Sequence, residues 1–265
     1  MNHPHRIVIL TFLSFAVALP SQNEGEKPKP KESAAKTETK AQKDDAATAN
    51  DKAIVAIDAF IGKQAVDKKA SDWRTKLKAP PQQKFDDNTD YFWHIETSVG
   101  PIKIQYYPDT APMHVTNGIY LARLGFYDGL SFHRIIKKFM AQGGCPLGNG
   151  GGGPGYQFAG EFGGKRKHDK PGVLSTANAG PGTDGSQFFI TFVDYSSLDG
   201  GYTIWGQVVD GMDAVKGLEA AGTVGEGRIA NPPTIKRSWV SAAKKPDAEK
   251  PKDAEKPKDD GKSGK

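Results

Sequence analysis

Cysteine is nearly absent: the 265-residue chain has one, Cys145. A disulfide framework, a Cys-x-x-Cys zinc site and a thioredoxin-like motif are thereby excluded. Charge of one sign is missing too. Lys and Arg number 36 against 31 Asp and Glu, and the resulting +5 is spread through both ends. That balance describes a solvated chain and not a dedicated nucleic-acid binder. Only 37% of the residues are hydrophobic, low for a chain folded throughout, so part of it buries nothing.

The usual catalytic signatures are also lacking. Ser186 sits in Asp184-Gly-Ser-Gln187, which is not the Gly-x-Ser-x-Gly elbow of a hydrolase. His94, His114, His133 and His168 are scattered without metal-ligand spacing and read as structural. The glycine run at 148–155 is followed by no Gly-Lys-Ser/Thr, so it is a flexible loop and not a phosphate cradle. Cys145 precedes proline with no base beside it and reads as structural. The sequence offers no activated nucleophile, no metal site and no cofactor motif.

What is present falls into segments. A basic start, the apolar stretch from Ile7 to about Leu19 and the small residues Ala16 and Ala18 describe a secretory signal over 1–20. The stretch is shorter than the roughly 20 residues of a membrane-crossing helix. The expectation is a secreted or periplasmic protein without stable membrane insertion after signal cleavage. Tethering by an uncleaved N-terminal anchor is the alternative. Residues 21–50 and 241–265 are rich in Lys, Glu, Asp, Ala and Pro without apolar periodicity. Both are expected to be disordered, because burial there cannot offset chain entropy.

Residues 51–84 form a helical extension. Ile54, Ile57 and Ile61 share one helical face, Asp51 can cap the start, and Pro80-Pro81 stops any helix. This face either packs on the following module or docks a partner. From 85 to 240 short strands take over, at Tyr91–Ser98, Ile102–Tyr107, Phe132–Ile136, Val173–Thr176, Phe188–Phe192, Thr203–Val209 and Thr234–Val240. Helices are expected over Thr110–Leu124 and Met212–Ala220. Gly118 inside the first costs about 1 kcal/mol against alanine. Many short strands with glycine-rich turns and few helices indicate a mainly β fold, a closed or nearly closed antiparallel barrel.

Two segments carry the candidate chemistry. The first is Phe132-His-Arg-Ile-Ile-Lys-Lys-Phe-Met-Ala-Gln-Gly-Gly144. The second is Leu174-Ser-Thr-Ala-Asn-Ala-Gly-Pro-Gly-Thr-Asp-Gly-Ser-Gln-Phe-Phe-Ile190. They bring one arginine, large apolar side chains and several amides into company, a set suited to binding an uncharged amide chain and not to cleaving it. With Ala111-Pro112, Gly125-Phe-Tyr-Asp-Gly129 and Leu198-Asp-Gly200, they resemble the cyclophilin family of peptidyl-prolyl cis–trans isomerases. The glycine loop ending Gly153-Pro-Gly-Tyr156 is similar to that of shorter, bacterial-type members.

The resemblance implies an eight-stranded antiparallel barrel closed by two helices, with a groove for Xaa-Pro peptides of folding proteins. Rotation of an Xaa-Pro bond calls for no cofactor, the charge balance argues against a nucleic-acid partner, and a monomer is expected. The resemblance makes Arg134 the catalytic arginine and lines a proline pocket with Phe139, Met140, Phe189 and Leu198. Gln142, Ala177 and Asn178 would hydrogen-bond the peptide backbone, Asn178 through its main chain, and Gln187 would orient Arg134 from behind. Ser197 stands where many members have tryptophan, Tyr202 where many have histidine and Gly118 where many have an aromatic residue; Tyr202 still offers the pocket a flat wall. The same groove on a non-catalytic chaperone or scaffold is the alternative reading.

Overall fold

A computed structural model describes residues 46–246. The signal stretch, most of the 21–50 linker and the tail beyond 246 lie outside the described residues.

Alternating apolar residues build the sheet. Strand β1 (Thr89–Thr97) turns Tyr91, Trp93, Ile95 and Thr97 inward, and β2 (Gly100–Tyr106) does the same with Ile102, Ile104 and Tyr106. After them come β3 (Arg134–Ile136), β4 (Met140–Gly143), β5 (Val173–Thr176), β6 (Phe188–Thr191), β7 (Ile204–Asp210) and β8 (Ile235–Lys244). All neighbours are antiparallel, in the order β3-β4-β6-β5-β7-β2-β1-β8 across 8 strands.

The sheet curls without closing through a ladder. Among the described residues its edge strands β3 and β8 share no ladder, but the chain leading into them is joined. Ser131 bridges Thr234, Gly129 N–H donates to the Ile235 carbonyl (2.7 Å), Ile235 N–H to Leu130 (2.8 Å) and Phe132 N–H to Pro233 (2.9 Å). Of the expected closed or nearly closed barrel, the structure shows eight antiparallel strands in one curled sheet. Strand β4 was absent from the sequence-based strands because Met140–Gly143 is four residues long and ends in glycine. Strand β8 runs to Lys244, four residues into the stretch assigned to the tail. The 46–50 end of the linker is likewise helical, and its Thr48 hydroxyl accepts from Ala242 N–H at 2.8 Å.

Helices α1 (Lys52–Gly62), α2 (Pro112–Arg123) and α3 (Met212–Ala221) pack with the sheet. Helix α2 lacks a side-chain cap of its own. Glu161, 47 residues downstream, supplies it by accepting from His114 N–H (2.9 Å) and Met113 N–H (3.1 Å). Gly118 faces the indole of Trp205, and a Cβ there would lie 2.4 Å from a ring carbon. The space an aromatic residue would take on this helix is filled from β7.

The extension packs on the module. Ile54, Ile57 and Leu77 belong to the same buried cluster as Trp93, Tyr106, Phe188 and Trp205. Asp51 caps α1 through Ala53 and Ile54 N–H, both at 3.0 Å, and accepts from the Tyr91 hydroxyl at 2.7 Å. Arg123 of α2 pairs with Asp58 of α1. Beyond α1 the chain is irregular but for one turn of 3-10 helix, Trp73–Thr75.

Candidate active site

Register places the candidate residues. Arg134 opens β3 directly across from Gln142 of β4, and Gln142 lies across from Phe189 of β6. Met140, two residues before Gln142, shares its strand face. The antiparallel pairing of short strands thus sets an arginine, an amide and two apolar side chains side by side.

The polar members form a chain. Arg134 donates through Nη1 to Gln142 Oε1 (3.3 Å) and through Nε to the Glu226 carbonyl (3.2 Å). Gln142 Nε2 donates to Gln187 Oε1 at 2.9 Å. Gln187 Nε2 in turn donates to the carbonyls of Gly150 (2.7 Å) and Gly152 (2.9 Å). The expected support of Arg134 by Gln187 runs through Gln142 and not by direct contact. Burial and the adjacent Arg134 charge lower the pKa of His133, so that side chain is neutral near pH 7.

The apolar members form a cluster separate from the main core. Met140, Phe189 and Leu198 are buried together, and Ile136, Phe139, Ala177 and Tyr202 pack against them partly exposed. Tyr202 meets Phe189 edge-on at 5.5 Å, and Tyr195 lies 4.5 Å from Phe139. Ser197 is exposed and outside this cluster. All five residues assigned to the pocket from sequence are thus brought together.

Ala177 and Asn178 border the groove with part of their hydrogen-bonding capacity already used. Ala177 N–H donates to the Gln187 carbonyl (3.0 Å), which leaves its own carbonyl as the group that can meet a ligand. The Asn178 side chain donates to Gly201 (3.2 Å) and accepts from Gly180 N–H (3.2 Å), so the main chain is its free part. A cavity of about 290 Å³ runs from Asn178 to Gln142, and one of about 520 Å³ continues past Arg134 to Glu226. Gln142 lines both. A wider cavity of about 830 Å³, beside Tyr107 and Arg166, lies apart from these residues.

Sequence reasoning missed three contributors. Ile136 was findable, since it sits two residues from Arg134 on the same strand face. Tyr195 lies in a loop where no periodicity exists to reveal it. His168 is fully buried and stacks on Phe189 at 6.2 Å. Its ring nitrogens meet Asp199 (2.9 Å) and Ser175 (2.7 Å), and its carbonyl accepts from Tyr195 N–H (2.7 Å). It holds two sides of the pocket at once. Ser175 is fully buried beneath the pocket, so this Asp-His-Ser set offers no nucleophile to a ligand.

Residues 92–240 match the family described as cyclophilin type peptidyl-prolyl cis-trans isomerase/CLD. Peptidyl-prolyl cis-trans isomerase-like 1 of Rhizopus delemar is 49% identical over 138 residues, covering 51% of this chain and 84% of the relative. A Helicobacter pylori peptidyl-prolyl cis-trans isomerase is 42% identical over 135 residues, covering 51% and 80%. The crystal structure of a Cryptosporidium parvum cyclophilin type isomerase, in the presence of the dipeptide Ala-Pro, superposes with a TM-score of 0.54 at 34% identity. That likeness covers 56% of this chain and 98% of the other.

Proposed function

Because the chain belongs to the cyclophilin type peptidyl-prolyl cis-trans isomerase family, we propose that Arg134 and its apolar neighbours turn Xaa-Pro bonds of exported proteins as these fold. The isomerase activity follows from the family. The residue roles, the exported substrates and the monomeric, secreted or periplasmic state are our reading. The Ile7–Leu19 stretch supports export, with an uncleaved anchor as the alternative.

Rotation about Xaa-Pro breaks no covalent bond, and its barrier of about 18–20 kcal/mol is the loss of amide resonance. Catalysis needs only tighter binding of the twisted form than of either planar isomer. As the carbonyl leaves conjugation, the proline nitrogen regains a lone pair. A guanidinium beside it donates to that nitrogen without titrating. The ring sits among Phe139, Met140, Phe189, Leu198 and Tyr202, while Gln142 and the main chain at Ala177 and Asn178 hold the preceding residues.

Magnitudes show why both halves are needed. A five-decade acceleration requires about 7 kcal/mol, and one hydrogen bond to a charged group contributes about 1.5–3 kcal/mol. The remainder comes from preorganised groups in a site that excludes water. The carrying observation is the apolar cluster of Met140, Phe189 and Leu198, distinct from the core, beside the Arg134–Gln142 pair.

Exchange NMR on an Xaa-Pro peptide tests this reading, because it separates catalysed rotation from binding alone. Arg134→Ala is expected to lower turnover by about two to three orders of magnitude while the sheet stays folded. Unchanged exchange in that variant would overturn the role of Arg134. Binding without catalysed exchange in the unaltered protein would leave the groove a proline-peptide holder.

A further inference from the structure

We propose that the 73–77 segment of the N-terminal extension is a positioning strap for Arg134, with Arg74 as its anchor. The inference rests on Arg134 being the catalytic arginine. It adds a part of the chain that lies outside the 92–240 family match.

The strap is tied down at one end. Arg74 donates through Nε to the Phe126 carbonyl and through Nη2 to that of Asp128, both at 2.8 Å. Its guanidinium lies 4.7 Å from the Trp73 ring centre, and Trp73 meets Phe126 edge-on at 6.3 Å. A planar fork held at two carbonyls and an aromatic ring has little freedom to wander.

At its other end the strap bears on the loop that supports the candidate arginine. Leu77, itself buried, donates its N–H to the Pro154 carbonyl at 2.9 Å. Gly155 lies so close beneath the strap that a Cβ would fall 2.7 Å from the Thr75 carbonyl oxygen. Its φ of +101° is also one that side chains rarely adopt. Pro154 is buried between the strap and Gly185, whose added Cβ would stand 3.3 Å from the proline ring.

From Pro154 the path to Arg134 is continuous. The same loop presents the Gly150 and Gly152 carbonyls that fix Gln187, Gln187 fixes Gln142, and Gln142 accepts from Arg134. A glycine-rich loop has high conformational freedom, so these carbonyls depend on the contacts that fix the loop. Gly152 N–H donates to Cys145 Sγ (3.3 Å) and the Tyr156 hydroxyl to Asn117 (2.6 Å), and the strap adds its bond at Pro154 between them without touching the groove.

The test is a double-mutant cycle on the full chain. Arg74→Ala frees the anchor, and Gly155→Ala separates strap from loop while leaving the anchor intact. Each is made alone and with Arg134→Ala. Folding is checked by near-UV circular dichroism, and exchange on an Xaa-Pro peptide is read at enzyme concentrations high enough to resolve residual activity. Either strap variant is expected to lower catalysed exchange about tenfold, the scale of a small misplacement of a reacting group. Because Gln142 on this path also meets the peptide, affinity in an NMR titration falls less than exchange does, and most of the strap variants' effect vanishes once Arg134 is alanine. The proposal is overturned if folded Gly155→Ala exchanges normally, or if the tenfold loss persists in the Arg134→Ala background. Normal exchange in Arg134→Ala by itself would instead remove the catalytic role of Arg134, and the strap proposal with it.

Discussion

Gly118 shows how one position can reverse a local preference. On helix propensity alone, alanine would stabilise α2 by about 1 kcal/mol. The Trp205 ring, 2.4 Å from the added Cβ, makes that change an overpacking instead, which costs about 1–3 kcal/mol. Gly118→Ala is thus expected to lower the midpoint of urea unfolding, and a raised midpoint would show that the indole yields freely. Arg134 has the opposite character, because its identity matters more than its volume. Arg134→Lys keeps the charge but loses the rigid planar fork whose Nε and Nη1 serve Glu226 and Gln142 from separate atoms. Exchange NMR is expected to show at least about a tenfold loss in that variant, with unfolding unchanged.

Among the elements, α1 and the irregular chain after it behave as part of the core. Asp51 serves two roles, capping α1 and accepting from the buried Tyr91 hydroxyl. Asp51→Ala should cost about 1 kcal/mol for the cap and about 1–3 kcal/mol more for the hydroxyl left without its acceptor. Burial and the bond to Asp51 both raise the pKa of Tyr91, so its hydroxyl is a donor at every working pH. Removing 1–84 would expose the core around Ile54, Ile57 and Leu77, each worth about 1.5–3 kcal/mol when buried. A chain beginning at 85 is expected to unfold at markedly lower denaturant than the full chain. Equal midpoints would mean that the extension is an appendage.

At the scale of the whole molecule, one buried ion cluster ties distant segments together. His114 of α2 sits 2.6 Å from Glu161 and 2.7 Å from Asp184, the latter three residues before Gln187. Burial alone would lower the His114 pKa, but the bonds and charges of Asp184 and Glu161 raise it above 6.5. For Glu161, burial opposes and the bonds from His114 and Met113 prevail, holding its carboxyl below 4.5. A raised histidine stabilises fully below pH 6.5 and loses that contribution as pH climbs through its folded value. A depressed carboxylate stabilises above pH 4.5 and loses its share as pH falls through the folded value. The cluster is strongest between these limits. The stability gap between the unaltered protein and His114→Gln is expected to be largest near pH 5.5 and to shrink by pH 9, read by urea unfolding. A gap that widens with pH would show that His114 is neutral in the fold.

Much of this could be read from the chain because its cause is local. Alternation marked β1 and β2, Asp51 marked the start of α1, and the resemblance carried by the motif segments pointed to Arg134, Gln142 and the pocket residues, with Leu198 and Tyr202 beyond those segments. Short β4 escaped, since four residues ending in glycine carry too little pattern. Local pattern also could not reveal that Glu161 caps α2, that His168 stands behind Phe189, or that Leu77 holds Pro154. Periodicity and capping act within a few residues, so the primary structure alone settled the β class and α1, while the proposed groove residues came from the resemblance. The route from the extension to Arg134, the failure of β3 and β8 to pair, and the charge on a buried histidine depend on groups remote in the chain meeting at hydrogen-bond distance away from water. Only the folded arrangement decides those.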